Sequence, residues 1–260
     1  AISFLHQSFL DYFVVADVLK ELYLGGKKLV VLLGTPDNQL PTLRYRLLMT
    51  LQSLLDSVPD RFVHESKMIL SSDSVRYYFK CAVFEVLSQC DNPNKAVFDL
   101  VDSCFSDEKW HNNVFQMVYL GHPVFVRHLG DQHEYLWTSP EGLRLLSSIV
   151  MLDPEYVASV ITPLMFHSEE EDAGIFRILH DSIEAANCLF ELRIQLLQHY
   201  PSFWRNMWDL YPLIEKGSPR TIPLLELMLQ QEKVLFEEGI HFPDDEKLVL
   251  CATRNRDLIL

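Results

Sequence analysis

The chain has 260 residues, of which 48% are hydrophobic, and its 36 acidic and 22 basic residues give a formal net charge of -14. Nine glycines and many good helix formers favour an all-helical protein that buries one large core or a series of smaller cores. A chain of this charge repels phosphate groups at neutral pH, which argues against nucleic acid as a partner.

The cysteines and the hydropathy pattern indicate a soluble, cytoplasmic chain. The five cysteines lack any CxxC spacing and lie mostly among apolar neighbours, which is typical of reduced, buried thiols. The most apolar stretch is interrupted by Asp11, Asp17 and Lys20, so it falls short of the ~20 residues of a membrane span. No signal-peptide pattern is present. We therefore expect no membrane partner.

The opening stretch, ISFLHQSFLDYFVVADVL, combines two patterns. Alternation of side-chain type predicts a strand over Ile2 to Leu5, with His6 at a hinge before a strongly apolar helix. On that helix Asp11 belongs to the polar half, which is interrupted by apolar residues, namely Leu10, Phe13, Val14 and Val18. A helix that is apolar on nearly all sides needs cover on more than one side. We therefore expect a neighbouring domain, outside these residues, to pack on it.

Amphipathic segments with apolar residues at every third and fourth position predict the helices that follow. These segments are 43–55, 75–87, 95–105, 109–119, 143–152, 154–165, 174–197 and 222–238. Gly25 and Gly26 are expected to end the first helix and Gly239 the last one. Helix starts are predicted where a proline follows a residue that in most cases can cap a helix, at Pro93, Pro123, Pro140, Pro154 and Pro219.

Three of these prolines are nearly evenly spaced along the chain. Pro93, Pro123 and Pro154 are separated by 30 and then 31 residues, which leaves room for two short helices in each interval. Units of about 30 to 45 residues that contain a helix pair stack into α-solenoids. The fold class is therefore predicted as an irregular helical-repeat array of the HEAT or TPR type. An irregular helical bundle is the alternative.

Sequence motifs of enzymes are missing. Gly25-Gly26-Lys27-Lys28 lacks the spacing and the hydroxyl of a phosphate-binding loop, and neither a G-x-S-x-G elbow nor an H-E-x-x-H helix occurs. We therefore expect no catalytic residue in this chain.

One window is rich in histidine, with His111, His122, His128 and His133 near two carboxylates. Imidazole and carboxylate suit zinc, iron or manganese, so His122, His128 and His133 are the weak metal candidates. Their spacings of six and five do not place them on one helical face, which favours scattered loop and surface histidines and no metal site.

The acidic run HSEEEDAGIF allows two interpretations. Clustered carboxylates suit calcium or magnesium. Ser168 followed three residues later by Glu171 instead fits a capping box, with acids in the first turn of a helix, and we favour this interpretation. The exposed Glu169 and Glu170 remain candidates for protein docking.

The aromatic residues of HYPSFWRNMWDLYP follow helical core spacing over much of their length. We expect Tyr200, Phe203, Trp204, Trp208 and Tyr211 to be mainly buried. Large aromatic side chains also dominate binding hot spots, so Trp204 and Trp208 are weak candidates for partner binding.

The stretch FLHQSFLDYFVVADVL resembles the F-x-H-x-S/T-F-Q-E-Y/F-F-A-A signature of STAND-type NTPases, which include NACHT and NLR immune receptors and bacterial antiviral sensors. Leu10 stands where the family often has Gln, and Asp11 where it usually has Glu. The residues on the pattern are Phe4, His6, Ser8, Phe9, Asp11, Tyr12, Phe13 and Ala16. The following GTPDNQLPTLRYRLLMTLQSLLD also looks like the next helices of such proteins.

The resemblance implies that residues 1–23 form the seam between a winged-helix domain and a helical domain. Residues 24–90 would be a helical linker region and 91–260 a helical-repeat sensor region, with one domain continuous over both as the alternative. In the family this region binds a protein trigger and restrains the NTPase core. The motif histidine, here His6, contacts the β-phosphate of ADP. ATP or ADP and Mg²⁺ are then expected in a full-length protein whose core lies outside this fragment.

The resemblance also implies a monomeric fragment within a protein that oligomerises on activation. Two other classes remain as alternatives. One is a free-standing helical scaffold or adaptor, in which the opening motif is a coincidence. The other is a helical metal-dependent hydrolase built on the window from His122 to His133.

Overall fold

The computed structural model describes residues 2–120, 123–181, 186–206, 218–237 and 239. This part of the chain contains fourteen α-helices and no strand, which confirms the predicted all-α helical array. The type of helical repeat stays a prediction. The chain forms two compact units, residues 1–133 and residues 134–260. The predicted domain boundaries after residues 23 and 90 are based on the family resemblance and not on packing, and they also stay predictions.

The helices of both units are short and closely spaced along the chain. In unit 1 they are α1 (Ile2–Tyr23), α2 (Leu29–Leu33), α3 (Pro41–Ser57), α4 (Pro59–Ser71), α5 (Tyr77–Leu87), α6 (Lys95–Phe105), α7 (His111–Leu120) and α8 (Pro123–Gln132). In unit 2 they are α9 (Pro140–Ile149), α10 (Pro154–Ile161), α11 (Glu169–Asp181), α12 (Asn187–His199), α13 (Thr221–Gln230) and α14 (Glu232–Glu237).

In unit 1 each helix packs against the next helix but one. The helices α1, α3, α5 and α7 contact one another in succession, and α2, α4, α6 and α8 do the same. Hydrogen bonds between residues of successive helix pairs connect the array, as between Tyr77 and Asn113. Helical hairpins that stack in this way build an array in which each pair contacts mainly its neighbours.

The core of unit 1 lies between these two layers and is apolar, with Leu51, Leu54, Phe62, Ile69 and Phe79 almost completely buried. One carboxylate is also buried. Glu65 accepts a hydrogen bond of 2.7 Å from the backbone N–H of Leu29 and pairs with Arg61 at 2.8 Å. A helix start leaves N–H groups unsatisfied, so Glu65 ties the first turn of α2 to α4.

Unit 2 repeats the same arrangement. The contacts run from α9 to α11 and from α10 to α12. Arg220 donates to Asn187 at 3.0 Å and Gln231 donates to the carbonyl of Gln198 at 3.2 Å, and both bonds join successive helix pairs. The fully buried Arg193 places its guanidinium 5.0 Å from the ring centroid of Phe176.

The predicted helix starts are confirmed at three prolines. Pro123, Pro140 and Pro154 begin α8, α9 and α10. Ser139 accepts from the N–H of Gly142 at 3.0 Å and Asp153 from that of Tyr156 at 3.4 Å, as N-cap residues do.

At the other two prolines the helix does not begin at the proline, as the cap pattern predicts, but close to the start of the predicted segments 95–105 and 222–238. Helix α6 starts at Lys95 and α13 at Thr221, two residues beyond each proline. The cap of α6 is Asn94, which accepts from the N–H of Val97 at 3.0 Å, so the cap predicted before Pro93 was wrong. Helix α6 begins after Asn94 because the side chain of this residue accepts a hydrogen bond from the first turn.

Two further expectations were wrong. The strand over Ile2 to Leu5 does not exist, because α1 runs unbroken from Ile2 to Tyr23 and no hinge lies at His6. A stretch of about five residues is too short to distinguish the side-chain period of a strand from that of a helix. No glycine or proline interrupts the segment before Gly25, so the helix continues through it. The single helix predicted over 174–197 is instead two helices, α11 and α12, and the helix predicted over 222–238 is divided at Gln231.

Candidate functional site

A groove of about 590 Å³ lies on unit 1 where α1, α3 and α5 meet. We name it the tyrosine groove. It is lined from α1 by Tyr12, Val15, Ala16 and Leu19, from α3 by Tyr45, Leu48, Met49, Gln52 and Ser53, and from α5 and the turn after it by Glu85, Val86 and Gln89. Three successive helices of one layer thus form a continuous and largely apolar surface.

An exposed tyrosine recurs on each of the three helices, and the first two of these tyrosines line the groove. Tyr12 on α1, Tyr45 on α3 and Tyr78 on α5 are evenly spaced along the sequence. The three side chains are 60%, 53% and 54% exposed. Because successive helices of a stacked array present equivalent positions side by side, the tyrosines form a row across the layer.

A partly buried ion pair joins α1 to α3, on the same face of α1 as the buried Val15 and Leu22. Asp11 is only 7% exposed and accepts a hydrogen bond of 2.8 Å from Nε of Arg46 on α3. We predicted Asp11 on the solvent side of α1, and this was wrong. By contrast, Phe13 is 65% exposed. A buried charge is tolerated when it is paired, as Asp11 is with Arg46.

A second arginine fixes the neighbouring tyrosine. Nε of Arg44 donates to the backbone carbonyl of Tyr78 at 3.2 Å, and its guanidinium lies 4.5 Å from the centroid of the Tyr78 ring. The same guanidinium forms an ion pair with Glu85. These contacts join α3 to α5 and hold Tyr78 beside the groove.

One polar group in the groove lacks a partner. Nε2 of Gln52 donates to Asp56 at 2.9 Å, whereas its Oε1 is buried and accepts no hydrogen bond within the described part of the chain. A buried acceptor without a donor costs free energy.

The groove has the composition of a binding surface and no catalytic arrangement. Its aromatic and aliphatic side chains surround a few amide and hydroxyl groups, as in the centre of protein interfaces. Glu85 is the only ionisable carboxylate in the lining, and it is engaged by Arg44. A protein segment is therefore a more suitable occupant than a reacting substrate.

Of the described histidines in the histidine-rich window, His111 and His133 lie against the ring of Phe105, and His128 is held elsewhere. Nε2 of His128 lies 2.8 and 3.0 Å from the two carboxylate oxygens of Asp102, and its ring stacks on Phe98 at 4.1 Å. The ring of His133 lies 4.9 Å from that of Phe105. His122 is outside the described residues, among which no group of three or more metal-ligating side chains occurs.

The other predicted site residues are placed as follows. His6 lies within α1, but its side chain and the whole of Trp208 fall outside what the structure describes. Trp204 is buried and donates to Gln231 at 2.8 Å, so its indole serves the interior of unit 2. Glu169 is exposed and accepts a hydrogen bond from Ser202, and Glu170 is exposed at the start of α11.

Ser168, which precedes the acidic run, caps a helix as predicted. The N–H of Glu171 donates to the hydroxyl of Ser168 at 3.3 Å, and α11 begins at Glu169. Four acids thus occupy its first turn, where the helix dipole favours them.

The four described cysteines are free thiols. Burial raises the pKa of Cys104 to about 11 and also raises the pKa of Cys90, so both stay protonated at neutral pH. None of the helices in the described ranges is both long and apolar enough to traverse a lipid bilayer.

The tyrosine groove was not among the predicted sites. The recurrence of tyrosine at equal intervals, at Tyr12, Tyr45 and Tyr78, is the sequence signal that marks it. Comparison with known proteins finds no match to the chain among family models, curated proteins or solved structures.

Proposed function

We propose that this chain is the non-catalytic sensor region of a STAND-type signalling NTPase. In this role it binds a protein trigger and restrains the NTPase core. The observation that carries the proposal is the tyrosine groove, an apolar and aromatic surface that crosses three stacked helices. Stacked helical arrays use such extended surfaces to bind proteins.

The exposed side of α1 supports a contact with a further domain. Leu10, Tyr12 and Phe13 are all more than half exposed on a helix whose charged Asp11 is buried. These four residues belong to the motif segment that resembles the STAND signature. In that family the motif helix adjoins the NTPase core, so we place this core against Leu10 and Phe13, which do not line the tyrosine groove.

Nucleotide chemistry belongs to the core in this proposal. ATP or ADP and Mg²⁺ would be bound there, and His6 would contact the β-phosphate of ADP and stabilise the resting state. The sensor region itself supplies no catalytic group. It acts through the restraint that its contact with the core exerts on nucleotide exchange.

A free-standing scaffold or adaptor is the second candidate, since the tyrosine groove suits it equally well. It differs from the first in requiring no nucleotide-binding core. No observation favours a metal-dependent hydrolase, because His128 and His133 are engaged by Asp102 and by Phe105.

The proposal is tested first by the native sequence upstream of Ala1 and then by the rate of ADP release. A GxxxxGK[ST] motif in the native sequence upstream of Ala1 is expected, and its absence would favour the adaptor. In the longer protein, His6→Ala should accelerate release of ADP by roughly five- to tenfold, as loss of a coupled contact does. The exposed His64 on α4 provides the matched control, and His64→Ala should leave ADP release unchanged. Equal rates in all three proteins would contradict the role of His6.

A further inference from the structure

A second groove, also of about 590 Å³, lies within unit 2 between α9 and α11. Its apolar floor includes Leu143 and Ile178. The two helices approach closely at Gly174, where an added Cβ would lie 2.9 Å from Cδ1 of Leu143. We name this surface the charged groove, because four charged side chains line it.

Towards one end of the charged groove lies the exposed Arg177 of α11. The exposed Arg144 lines the groove from the neighbouring helix α9. Within the described ranges neither guanidinium makes a hydrogen bond or an ion pair. In unit 1, by contrast, Arg44, Arg46, Arg61 and Arg76 all pair with a carboxylate. Two unpaired arginines are notable in a chain of net charge -14.

The other end of the groove is acidic. Glu170 and Glu171 lie in the first turn of α11 and line the groove. Their carboxylates likewise have no ion-pair or hydrogen-bond partner among the residues that the structure describes. Arg177 follows six to seven residues later, which corresponds to roughly 10 Å along a helix axis. Charges of opposite sign are therefore separated along the groove rather than neutralised within it.

We propose that the charged groove binds a protein segment that carries an acidic and a basic side chain about 10 Å apart. The carboxylate of the segment meets Arg144 and Arg177, whose planar guanidinium groups suit it. Its ammonium group meets Glu170 and Glu171. Apolar side chains between the two charges cover Leu143 and Ile178.

The charge pattern selects this occupant over simpler anions. A free phosphate or a nucleic acid would satisfy the arginines but leave the glutamates unpaired and repel them. In an extended segment, residues rise by about 3.3 Å each, so an acid and a base three residues apart span the groove. The site lies in unit 2 and does not depend on the function proposed for the tyrosine groove.

The test uses capped hexapeptides and the isotope-labelled chain in NMR titrations. The dipolar probe is acetyl-Gly-Glu-Leu-Leu-Lys-Gly-amide, and the comparison peptide has glutamate in place of lysine. We expect the dipolar peptide to shift resonances around the charged groove and to bind more tightly than the acidic one. The double variant Arg144→Gln/Arg177→Gln should weaken its binding by about tenfold, and so should Glu170→Gln/Glu171→Gln.

Matched controls are available in the same unit. Lys233 and Glu155 are exposed charges outside the groove, so Lys233→Gln and Glu155→Gln should leave the affinity unchanged. Unchanged melting temperatures verify that the groove variants fold. Equal binding of the two peptides, or full competition by inorganic phosphate without any effect of the glutamate variants, would overturn the proposal in favour of a plain anion site. Absence of any groove shift at millimolar peptide would also overturn it.

Discussion

Asp11 on α1 and Arg46 on α3 form an ion pair, with 2.8 Å between Oδ1 and Nε, at a place where the carboxylate is almost removed from solvent. Together with the buried Val15 and Leu22, this pair turns one side of α1 towards α3. In this orientation Tyr12 lines the tyrosine groove and Phe13 is exposed.

Removing the arginine should therefore destabilise unit 1. Arg46→Ala leaves Asp11 buried without its cation, which we expect to lower the free energy of unfolding by about 2–4 kcal/mol. Urea unfolding followed by circular dichroism measures this. The exposed pair of Lys27 and Glu21 provides the comparison, since solvent screens it and Lys27→Ala should cost much less than Arg46→Ala. Equal effects of the two substitutions would show that Asp11 does not depend on Arg46.

The two glycines at the start of α9 and within α11 should respond differently to alanine. A Cβ at Gly142 would lie 1.9 Å from the backbone carbonyl oxygen of Leu136. Relief of this clash requires a shift of the main chain, because the oxygen belongs to the backbone. Gly142→Ala should lower the free energy of unfolding by about 2–3 kcal/mol in spite of better helix propensity.

At Gly174 the nearest atom is the end of the flexible Leu143 side chain, at 2.9 Å. Gly174→Ala should therefore change the free energy of unfolding by no more than about 1 kcal/mol, because the gain in helix propensity offsets the crowding. Thermal and urea unfolding of both variants check this. Similar losses at both glycines would contradict the packing described around Leu136.

Thiol alkylation should follow burial. The thiolate is the reactive form, and burial raises the pKa of Cys104 to about 11 and also raises that of Cys90. With iodoacetamide at pH 8 we expect Cys81 and Cys188, which are partly exposed, to react before the two buried thiols. Peptide mass spectrometry gives the order in which the cysteines are alkylated. In denaturant the differences in rate among them should disappear. Early alkylation of Cys104 in the native chain would contradict its burial.

Tyr200 should ionise unusually late for a tyrosine. Burial, and then the neighbouring Asp172 carboxylate, raises the pKa of Tyr200 from 10.0 to about 12. A pKa that is higher in the folded state contributes stability below pH 10, and this contribution is lost as the pH rises from 10 to 12. Ultraviolet titration should resolve one late phase that disappears in Tyr200→Phe. A titration in which the variant keeps the late phase would assign it to another tyrosine.

The sequence predicted the helices with strong periodicity and missed the short or orientation-dependent features. The segments that became α3, α5, α6 and α7 repeat apolar residues at every third and fourth position over much of their length. Helix α2 has five residues, too few for any periodicity to develop, and forms because Glu65 binds its first N–H.

The tyrosine groove could not be predicted in the same way. Its position depends on the inward rotation of Asp11, and a charged residue on an amphipathic helix is normally expected on the solvent side. The contact with Arg46 on α3 goes against this expectation, and the sequence does not show that the two residues meet. The even spacing of Tyr12, Tyr45 and Tyr78 indicates the shared layer but not which side chains stay exposed.

The most direct test of the central claim, that the tyrosine groove binds a protein segment, is selection of a displayed library of random dodecapeptides against the chain. Selected peptides should bind the wild type and lose about tenfold or more in affinity for Tyr12→Ala/Tyr45→Ala, because aromatic side chains dominate binding hot spots. The exposed Tyr135 of unit 2 supplies the control, and Tyr135→Ala should retain the affinity. Peptides that bind all three proteins equally, or a selection that yields no binder, would contradict the claim.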